Sequence, residues 1–178
     1  GSEMCIRDSY MTAAFWVEQM GAKRIVAARE MSLEELREMK KVLPPDTEIE
    51  AFVHGAMCMS YSGRCLLSNF MVGRDANRGS CTHPCRWKYS LVEEKRPGEY
   101  YPVEEDNRGS YIMNSRDLCM LDKLPDLIDA GISSLKIEGR MKSPFYVATV
   151  VSAYRAALDE YLEDPDNYKF QEKWYKLH

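Results

Sequence analysis

Apolar and polar residues alternate along the chain with two periods, which predict helices and short strands in turn. Apolar positions three or four residues apart indicate helices, and short β-branched runs bounded by turn residues indicate strands. Helices are predicted at 10–21, 32–43, 122–131 and 143–164. Strands are predicted at 23–28, 48–54, 111–114 and 133–139. Strands separated by helices are typical of βαβ units, so the sequence predicts an α/β protein with a parallel sheet.

Residues that favour helix ends stand where these patterns begin and stop. Ser32 and Glu35 match the capping box that closes a helix N-terminus, and Ser143 precedes a proline at a first helical position. Gly21 follows the first helical pattern, where glycine commonly ends a helix. The predicted helices and strands amount to about half of a (β/α)8 barrel, which typically needs ~250 residues. We therefore expect a partial TIM-like barrel that belongs to a larger protein.

An irregular region of roughly 56–110 separates the second and third predicted strands. It contains a cysteine-rich loop, followed by a turn-rich insert at 92–110 for which we expect a small hairpin. A long loop inside a compact domain is usually functional or disordered, and the cysteines favour a functional loop.

Composition and charge narrow the function classes. The 178 residues carry a net charge of -4, so any nucleic-acid contact must come from a local basic patch. No apolar run approaches the ~20 residues of a membrane helix, and residues 1–9 lack the apolar core of a signal peptide. We expect residues 1–9 to be an assembly scar and the protein to be cytoplasmic, without a membrane partner.

Six cysteines are many for a reducing compartment. Cys5 lies in the segment set aside, and the other five are Cys58, Cys65, Cys81, Cys85 and Cys119. No Cys-x-x-Cys pair is present, which disfavours the usual zinc knuckle. Four thiolates at wider spacing could hold an iron–sulfur cluster. Inert buried thiols, disulfides and zinc remain alternatives.

Candidate catalytic residues lie at two predicted strand ends. His54 ends one strand, where barrel enzymes place working residues, and could pair with a cysteine as a catalytic dyad. Lys136, Glu138 and Arg140 lie at the end of a later strand and before a helix. Positive charge near a helix N-terminus suits a carboxylate or phosphate. A polar strand end and a solvated charged loop are the simpler alternatives.

Basic and aromatic residues are interleaved around Cys81 and Cys85. The candidates for RNA binding are Arg74, Arg78, Arg86, Trp87 and Lys88. Cations beside aromatic rings suit phosphates and unstacked bases, and this local excess of positive charge contrasts with the acidic chain. An RNA-facing patch is therefore a reasonable expectation.

The stretch EAFVHGAMCMSYSGRCLLS, residues 50–68, resembles the signature of the collagenase-like peptidase family U-32. The matching positions are Glu50, Phe52, Gly55, Ala56, Cys58, Gly63, Cys65 and Ser68. Segments 78–89, 114–131 and 135–155 are also similar to family blocks. The resemblance implies that 10–165 is the C-terminal part of the family's barrel domain and that 166–178 is a tail or the start of a further region.

The blocks most resemble the family branch that forms 5-hydroxyuridine at the wobble position of tRNA. That resemblance implies tRNA as substrate, prephenate as hydroxyl source and a [4Fe–4S] cluster held by four cysteines, with a protein partner or paralogue. Cys58, Cys65 and Cys81 match ligand positions, and either Cys85 or Cys119 is implied as the fourth. A collagenase-like peptidase and an RNA-binding or structural module with structural cysteines remain alternatives.

Overall fold

The structure is a computed structural model that describes residues 5–6, 10–58, 60–61, 64–87, 89–102, 117–140 and 142–177. The chain divides into two units, one comprising 1–56 and 117–178 and the other 57–116. Each unit is described by itself below. Among the described residues, no helix has both the length and the apolar character needed to cross a membrane.

The elements are numbered in chain order across both units. The strands are β1 Cys5–Ile6, β2 Arg24–Ala27, β3 Glu48–Gly55, β4 Ser90–Leu91, β5 Tyr101–Pro102, β6 Leu118–Cys119 and β7 Ser134–Ile137. The α-helices are α1 Tyr10–Met20, α2 Leu33–Val42, α3 Leu67–Val72, α4 Leu124–Asp129 and α5 Pro144–Glu163. Short 3₁₀ turns lie at Ala76–Arg78, Pro84–Arg86, Leu121–Lys123 and Glu172–Leu177.

β3 is the strand on which the sheet of the first unit is organised. It pairs in parallel with β2 and β7, and β1 extends the sheet in parallel beside β2. β6 pairs antiparallel with the end of β3, where His54 lies opposite Cys119. The same His54 lies opposite Ile137 of β7. Three segments of the chain therefore meet at the carboxyl end of β3.

The two faces of β3 differ in character because successive side chains of a strand point to opposite sides. Ile49, Ala51 and Val53 are buried in one apolar cluster with residues of α1, α2, α4 and α5. Glu50 and Phe52 alternate with them and are half-buried. Helices thus cover one face of the sheet, and the other face carries charged and aromatic side chains.

The capping signals read from the sequence are present. The Ser32 hydroxyl accepts from the backbone N–H of Glu35 at 3.2 Å, and the Glu35 carboxylate accepts from the Ser32 N–H at 2.7 Å. Ser143 caps α5 by accepting from the Tyr146 N–H at 3.2 Å. These bonds satisfy backbone donors that have no partner inside a helix. The predictions of α1, α2, α4 and α5 are confirmed.

The α/β class and the parallel sheet are also confirmed, and the described strands form an open sheet rather than a closed barrel. The predicted strand at 111–114 lies outside the described residues. β1 places Cys5–Ile6 beside β2, although the sequence pattern set residues 1–9 aside. Trp174, in the segment separated as a tail, is buried against the core of the first unit.

The second unit is built from short elements. α3 ends at Gly73, which adopts the left-handed conformation that glycine tolerates best. α3 packs against the 3₁₀ turns at Ala76–Arg78 and Pro84–Arg86, so the cysteine-bearing region is not a plain loop. β4 and β5 pair antiparallel and flank the turn-rich residues 92–100. This pair corresponds to the hairpin expected there.

Candidate functional site

The ends of β3 and β7 are joined by an unusually close backbone approach at Gly55. The Glu138 N–H donates to the His54 carbonyl at 2.9 Å. Gly55 has a φ of +105°, and a Cβ built on it would overlap the Glu138 carbonyl oxygen. Only glycine combines that φ with the absence of a side chain. The glycine therefore allows the two strand ends to lie against each other.

His54 is buried at this strand end, with 3% of its surface exposed. Its ring lies 5.9 Å from the ring of Tyr146 and 5.6 Å from the ring of Tyr154, centroid to centroid. The Tyr154 hydroxyl donates to the Val53 carbonyl at 2.7 Å and accepts from the Met120 N–H at 3.1 Å. Burial raises the pKa of Tyr154. α5 thus fastens the strand ends and encloses the histidine.

A lysine–aspartate ion pair lies beside Tyr146, one of the two tyrosines that contact His54. Lys142 Nζ lies 2.6 Å from Asp117 Oδ2, and the Tyr146 hydroxyl donates to the same oxygen at 3.2 Å. Burial raises the pKa of Tyr146 to about 12, and the negative charge of Asp117 contributes to this rise. Tyr146 is therefore a neutral proton donor at physiological pH.

In the described part of the chain, only one of the two carboxylate oxygens of Glu138 accepts a hydrogen bond. Its Oε1 accepts from the Arg140 N–H at 2.9 Å. Its Oε2 is buried, and no donor in the described part of the chain reaches it. Buried carboxylate oxygens are normally hydrogen-bonded, so Oε2 is a ready acceptor for a donor on a bound molecule. Glu138 also raises the pKa of Tyr146, which places both in one electrostatic environment.

Lys136 belongs to the charged face of the sheet rather than to the strand-end cluster, which comprises His54, Asp117, Glu138, Lys142, Tyr146 and Tyr154. Its ammonium lies 3.1 Å from Glu50, which also accepts from the Ser134 hydroxyl at 2.8 Å. Burial acts to raise the pKa of Glu50, but the bonds from Ser134 and Lys136 lower it, and the net direction is downward. The ring of Phe52 lies beneath the Arg29 guanidinium, 3.7 Å from the ring centroid. Arg140, the remaining predicted catalytic residue, is exposed.

Thiols are concentrated in the second unit. Cys58 is exposed, and Cys65, Cys81 and Cys85 are partly buried. Burial raises the pKa of the Cys85 thiol; the neighbouring Arg86 lowers it, and the charges of Cys81 and Cys65 raise it further. Cys65 and Cys81 therefore both lie within electrostatic reach of Cys85.

Two side chains hold these thiol-bearing segments in place. Arg86 donates to the Met57 carbonyl at 2.8 Å. This bond ties the 3₁₀ turn that contains Cys85 to the residue before Cys58. Ser68 is fully buried and its hydroxyl accepts from the Thr82 N–H at 3.2 Å. This bond ties the first turn of α3 to the residue after Cys81. Long-range polar anchors thus fix the region.

The chemistry of this donor set fits an iron–sulfur cluster, since soft thiolates are its preferred ligands. The His83 N–H points at Cys81 Sγ at 3.3 Å, the kind of donor that stabilises a thiolate. The thiols of Cys58, Cys65, Cys81, Cys85 and Cys119 are in no disulfide. Within the described ranges, no three His, Cys, Asp or Glu residues are already grouped to hold a metal ion. Cys119 lies in the first unit, on β6 opposite His54.

The residues predicted to bind RNA have different surroundings. Arg74 and Arg78 are exposed, and Arg78 pairs with Asp75 at 3.5 Å. Trp87 is 43% exposed. Arg86 is partly buried and acts as the anchor to Met57, so its guanidinium has a structural partner. Lys88 lies outside the described residues.

Sequence reasoning missed three members of the strand-end cluster, namely Asp117, Tyr146 and Tyr154. The tyrosines are eight residues apart on α5, a spacing that places both on one helix face. That spacing was a usable signal for an aromatic pair facing the sheet. Asp117 gave no such signal, because its partners are 25 and 29 residues away along the chain.

Known proteins are similar in sequence to this chain over most of its length. The sequence model of peptidase family U32 matches residues 2–177. The chain is 48% identical over 166 residues to tRNA hydroxylation protein P1 of Bacillus subtilis (strain 168). The aligned region covers 93% of this chain and 38% of that protein. It is 41% identical over 191 residues to tRNA hydroxylation protein P of Escherichia coli (strain K12), covering 85% and 42%.

A ribosomal RNA enzyme is also similar. The chain is 37% identical over 151 residues to a 23S rRNA 5-hydroxycytidine synthase of Escherichia coli (strain K12), covering 85% of this chain and 22% of that protein. The chain spans about two fifths of the length of the two tRNA hydroxylation proteins. No solved structure is significantly similar to it.

The strand-end cluster predicts a titration that can be measured. Tyr146 has a pKa of about 12, above its unfolded value of about 10, so its neutral form stabilises the fold fully below pH ~10. That contribution is lost as pH rises from about 10 to 12. We expect Asp117→Asn to lower the pKa of Tyr146 in a tyrosine ¹³C NMR titration of the full-length protein.

Asp129→Asn is the matched control, because Asp129 raises the pKa of Tyr161 on the same helix. It should leave the Tyr146 titration unchanged. A Tyr146 pKa that stays at about 12 in Asp117→Asn would show that the hydrogen bond and charge of Asp117 do not act on this hydroxyl.

Proposed function

The chain belongs to peptidase family U32, and on that premise we propose that the full-length protein hydroxylates tRNA, converting the wobble uridine to 5-hydroxyuridine. The observation that carries the proposal is the 48% identity, over 93% of this chain, to a tRNA hydroxylation protein. The similarity to a 5-hydroxycytidine synthase supports the same reaction class, hydroxylation of a pyrimidine in RNA. The enzyme is proposed to act in the cytoplasm.

The strand-end cluster supplies suitable acid and base groups. Transfer of a hydroxyl group from prephenate, the proposed source, to C5 of a pyrimidine breaks the C–O bond of prephenate and the C5–H bond, and it forms a C5–O bond. The pyrimidine is oxidised by two electrons and prephenate is reduced by two, so one group must take up the C5 proton and another must return a proton to the reduced prephenate. The Glu138 Oε2 offers an acceptor that no described side chain or backbone donor occupies. Tyr146, neutral at physiological pH, can donate a hydrogen bond or proton. We assign Glu138 as the proton acceptor and Tyr146 as the donor.

Prephenate is the proposed hydroxyl source, following the family resemblance. Its two carboxylates need cationic partners. Arg140 is exposed shortly before the N-terminus of α5 and is the cation that we assign to them. Its positive charge close to a helix N-terminus is favourable for an anion and supports the proposal. Lys136 and Lys142 are weaker candidates, because Glu50 already neutralises Lys136 and Asp117 already neutralises Lys142.

A [4Fe–4S] cluster is the proposed cofactor, and it would supply electron transfer or Lewis-acid chemistry when bound. Cys58, Cys65 and Cys81 are three of its proposed ligands. Cys85 is supported as the fourth by its electrostatic coupling to Cys81 and Cys65 within one unit. Cys119 is the alternative fourth ligand from the family resemblance.

The full-length protein is proposed to complete a TIM-like barrel. The parallel strands β1, β2, β3 and β7, with helices covering one face, support that architecture. In such barrels the working residues lie at the carboxyl ends of the strands. His54, Gly55 and Glu138 occupy that position here.

The peptidase alternative is less well supported. A general base must reach its substrate, but His54 is buried and its ring contacts the rings of Tyr146 and Tyr154. We assign His54 a packing role at the strand end rather than catalysis. No second function is therefore proposed.

The function is tested by mass spectrometry of tRNA nucleosides from cells that lack the gene. We expect 5-hydroxyuridine to be lost and to return with the full-length wild-type protein. Glu138→Gln should lower its rate of formation roughly 100-fold or more, as expected for a lost general base. Glu163→Gln, the same change at the exposed end of α5, should restore it fully. Unchanged 5-hydroxyuridine in the gene-deficient cells would contradict the proposed reaction.

The cofactor is tested by iron and sulfide analysis of the full-length protein purified without oxygen. We expect about four iron atoms per chain and absorbance near ~400 nm. Serine at Cys58, Cys65 or Cys81 should lower the iron content sharply. Of Cys85→Ser and Cys119→Ser, only the substitution at the true fourth ligand should do so. Cys5→Ser is the matched control; an iron-free wild-type protein would contradict the cluster.

A further inference from the structure

An exposed phenylalanine stands out on the second unit. Phe70 lies on α3 and is 88% exposed, and Trp87 follows the 3₁₀ turn at Pro84–Arg86 with 43% exposed. Aromatic rings usually contribute to cores or interfaces, because burying them is strongly favourable. A single exposed ring is ordinary at a protein surface, but Phe70 is flanked along the chain by the exposed apolar side chains of Leu66, Met71 and Val72, and a group of exposed apolar residues points to a binding surface.

The elements that carry these rings are packed together. α3 contacts both 3₁₀ turns, and the Tyr89 hydroxyl bridges Met71 Sδ at 3.4 Å and the Pro84 carbonyl at 2.6 Å. The buried Ser68 fixes the first turn of the same helix. Phe70 is thus presented by a braced helix, which lowers the conformational entropy lost on binding.

Positive charge is concentrated in the stretch of sequence that carries the rings. Between residues 57 and 91 the sequence has five basic residues and one acidic residue, although the whole chain has a net charge of -4. Arg74 directly follows the glycine that ends α3, and Arg78 ends the neighbouring turn. Protein–protein interfaces are also enriched in aromatic residues and arginine. The local excess of positive charge is what favours a polyanion, and aromatic rings beside arginines match the surfaces that bind single-stranded nucleic acid.

We propose that Phe70 and Trp87 form a stacking site for unpaired RNA bases, with Arg74 and Arg78 contacting the adjoining phosphates. The inference rests on the proposed function, since that function supplies RNA as the substrate. It extends that function by assigning Phe70, on α3, a direct contact with a base. It also removes Arg86 from the RNA contacts, because its guanidinium holds the Met57 carbonyl. Bases stack on exposed rings irrespective of sequence, whereas arginines bind the phosphates.

The test measures binding of a fluorescently labelled, unmodified tRNA anticodon stem-loop to the full-length protein by anisotropy. Phe70→Ala should weaken binding roughly 5- to 150-fold, the range for loss of one stacked base. Phe70→Trp should retain affinity, because it keeps a stacking ring. Phe145→Ala is the matched control, since Phe145 is an 80% exposed phenylalanine on α5 of the other unit. It should bind like the wild type.

Salt dependence separates the two kinds of contact. Arg78→Gln should reduce the slope of log affinity against log salt by about 0.7, whereas Phe70→Ala should leave the slope unchanged. If Phe70→Ala binds as tightly as the wild type while Arg78→Gln binds more weakly, the stacking site is wrong and RNA remains the substrate. If the wild-type protein does not bind the stem-loop, RNA as substrate is wrong and the stacking site fails with it.

Discussion

The backbone contact between Gly55 and Glu138 determines where the groups of the strand-end cluster lie. Gly55 permits a φ of +105° and leaves no Cβ to collide with the Glu138 carbonyl. The Glu138 N–H can then donate a hydrogen bond to the His54 carbonyl, and this bond extends the pairing of β3 and β7 to the ends of both strands. Glu138 consequently holds its carboxylate at a fixed position, where it shares an electrostatic environment with Tyr146. One missing side chain thereby positions the proposed proton acceptor.

The second unit is held together mainly by hydrogen bonds rather than by a large apolar core. Its elements are short, and α3 has one buried residue, the polar Ser68. Specific hydrogen bonds carry the organisation instead, from Arg86 to Met57 and from Thr82 to Ser68. Because apolar burial on α3 is small, its aromatic and apolar side chains remain at the surface. Because so little of α3 is buried, Phe70 remains exposed and available to stack on a base.

The helices were predictable because their signals are local. Ser32, Glu35 and Ser143 cap the helix starts that the sequence pattern indicated. The strand-end cluster was not predictable in full, since Asp117 meets Lys142 and Tyr146 only after the chain has folded. β6 is two residues long, too short to leave a period-2 pattern. The bond from Arg86 to the Met57 carbonyl, 29 residues away along the chain, left no local signal either.

The close approach of Gly55 to Glu138 holds the strand ends together. The most direct measurement compares the free energies of urea unfolding of Gly55→Ala and Gly21→Ala in the full-length protein. Gly21 also has a positive φ, but nothing lies within 4 Å of a Cβ there, so its loss should be about 1–2 kcal/mol. Gly55→Ala should lose about 4 kcal/mol or more. Equal losses at the two positions would show that the close approach does not hold the strand ends together.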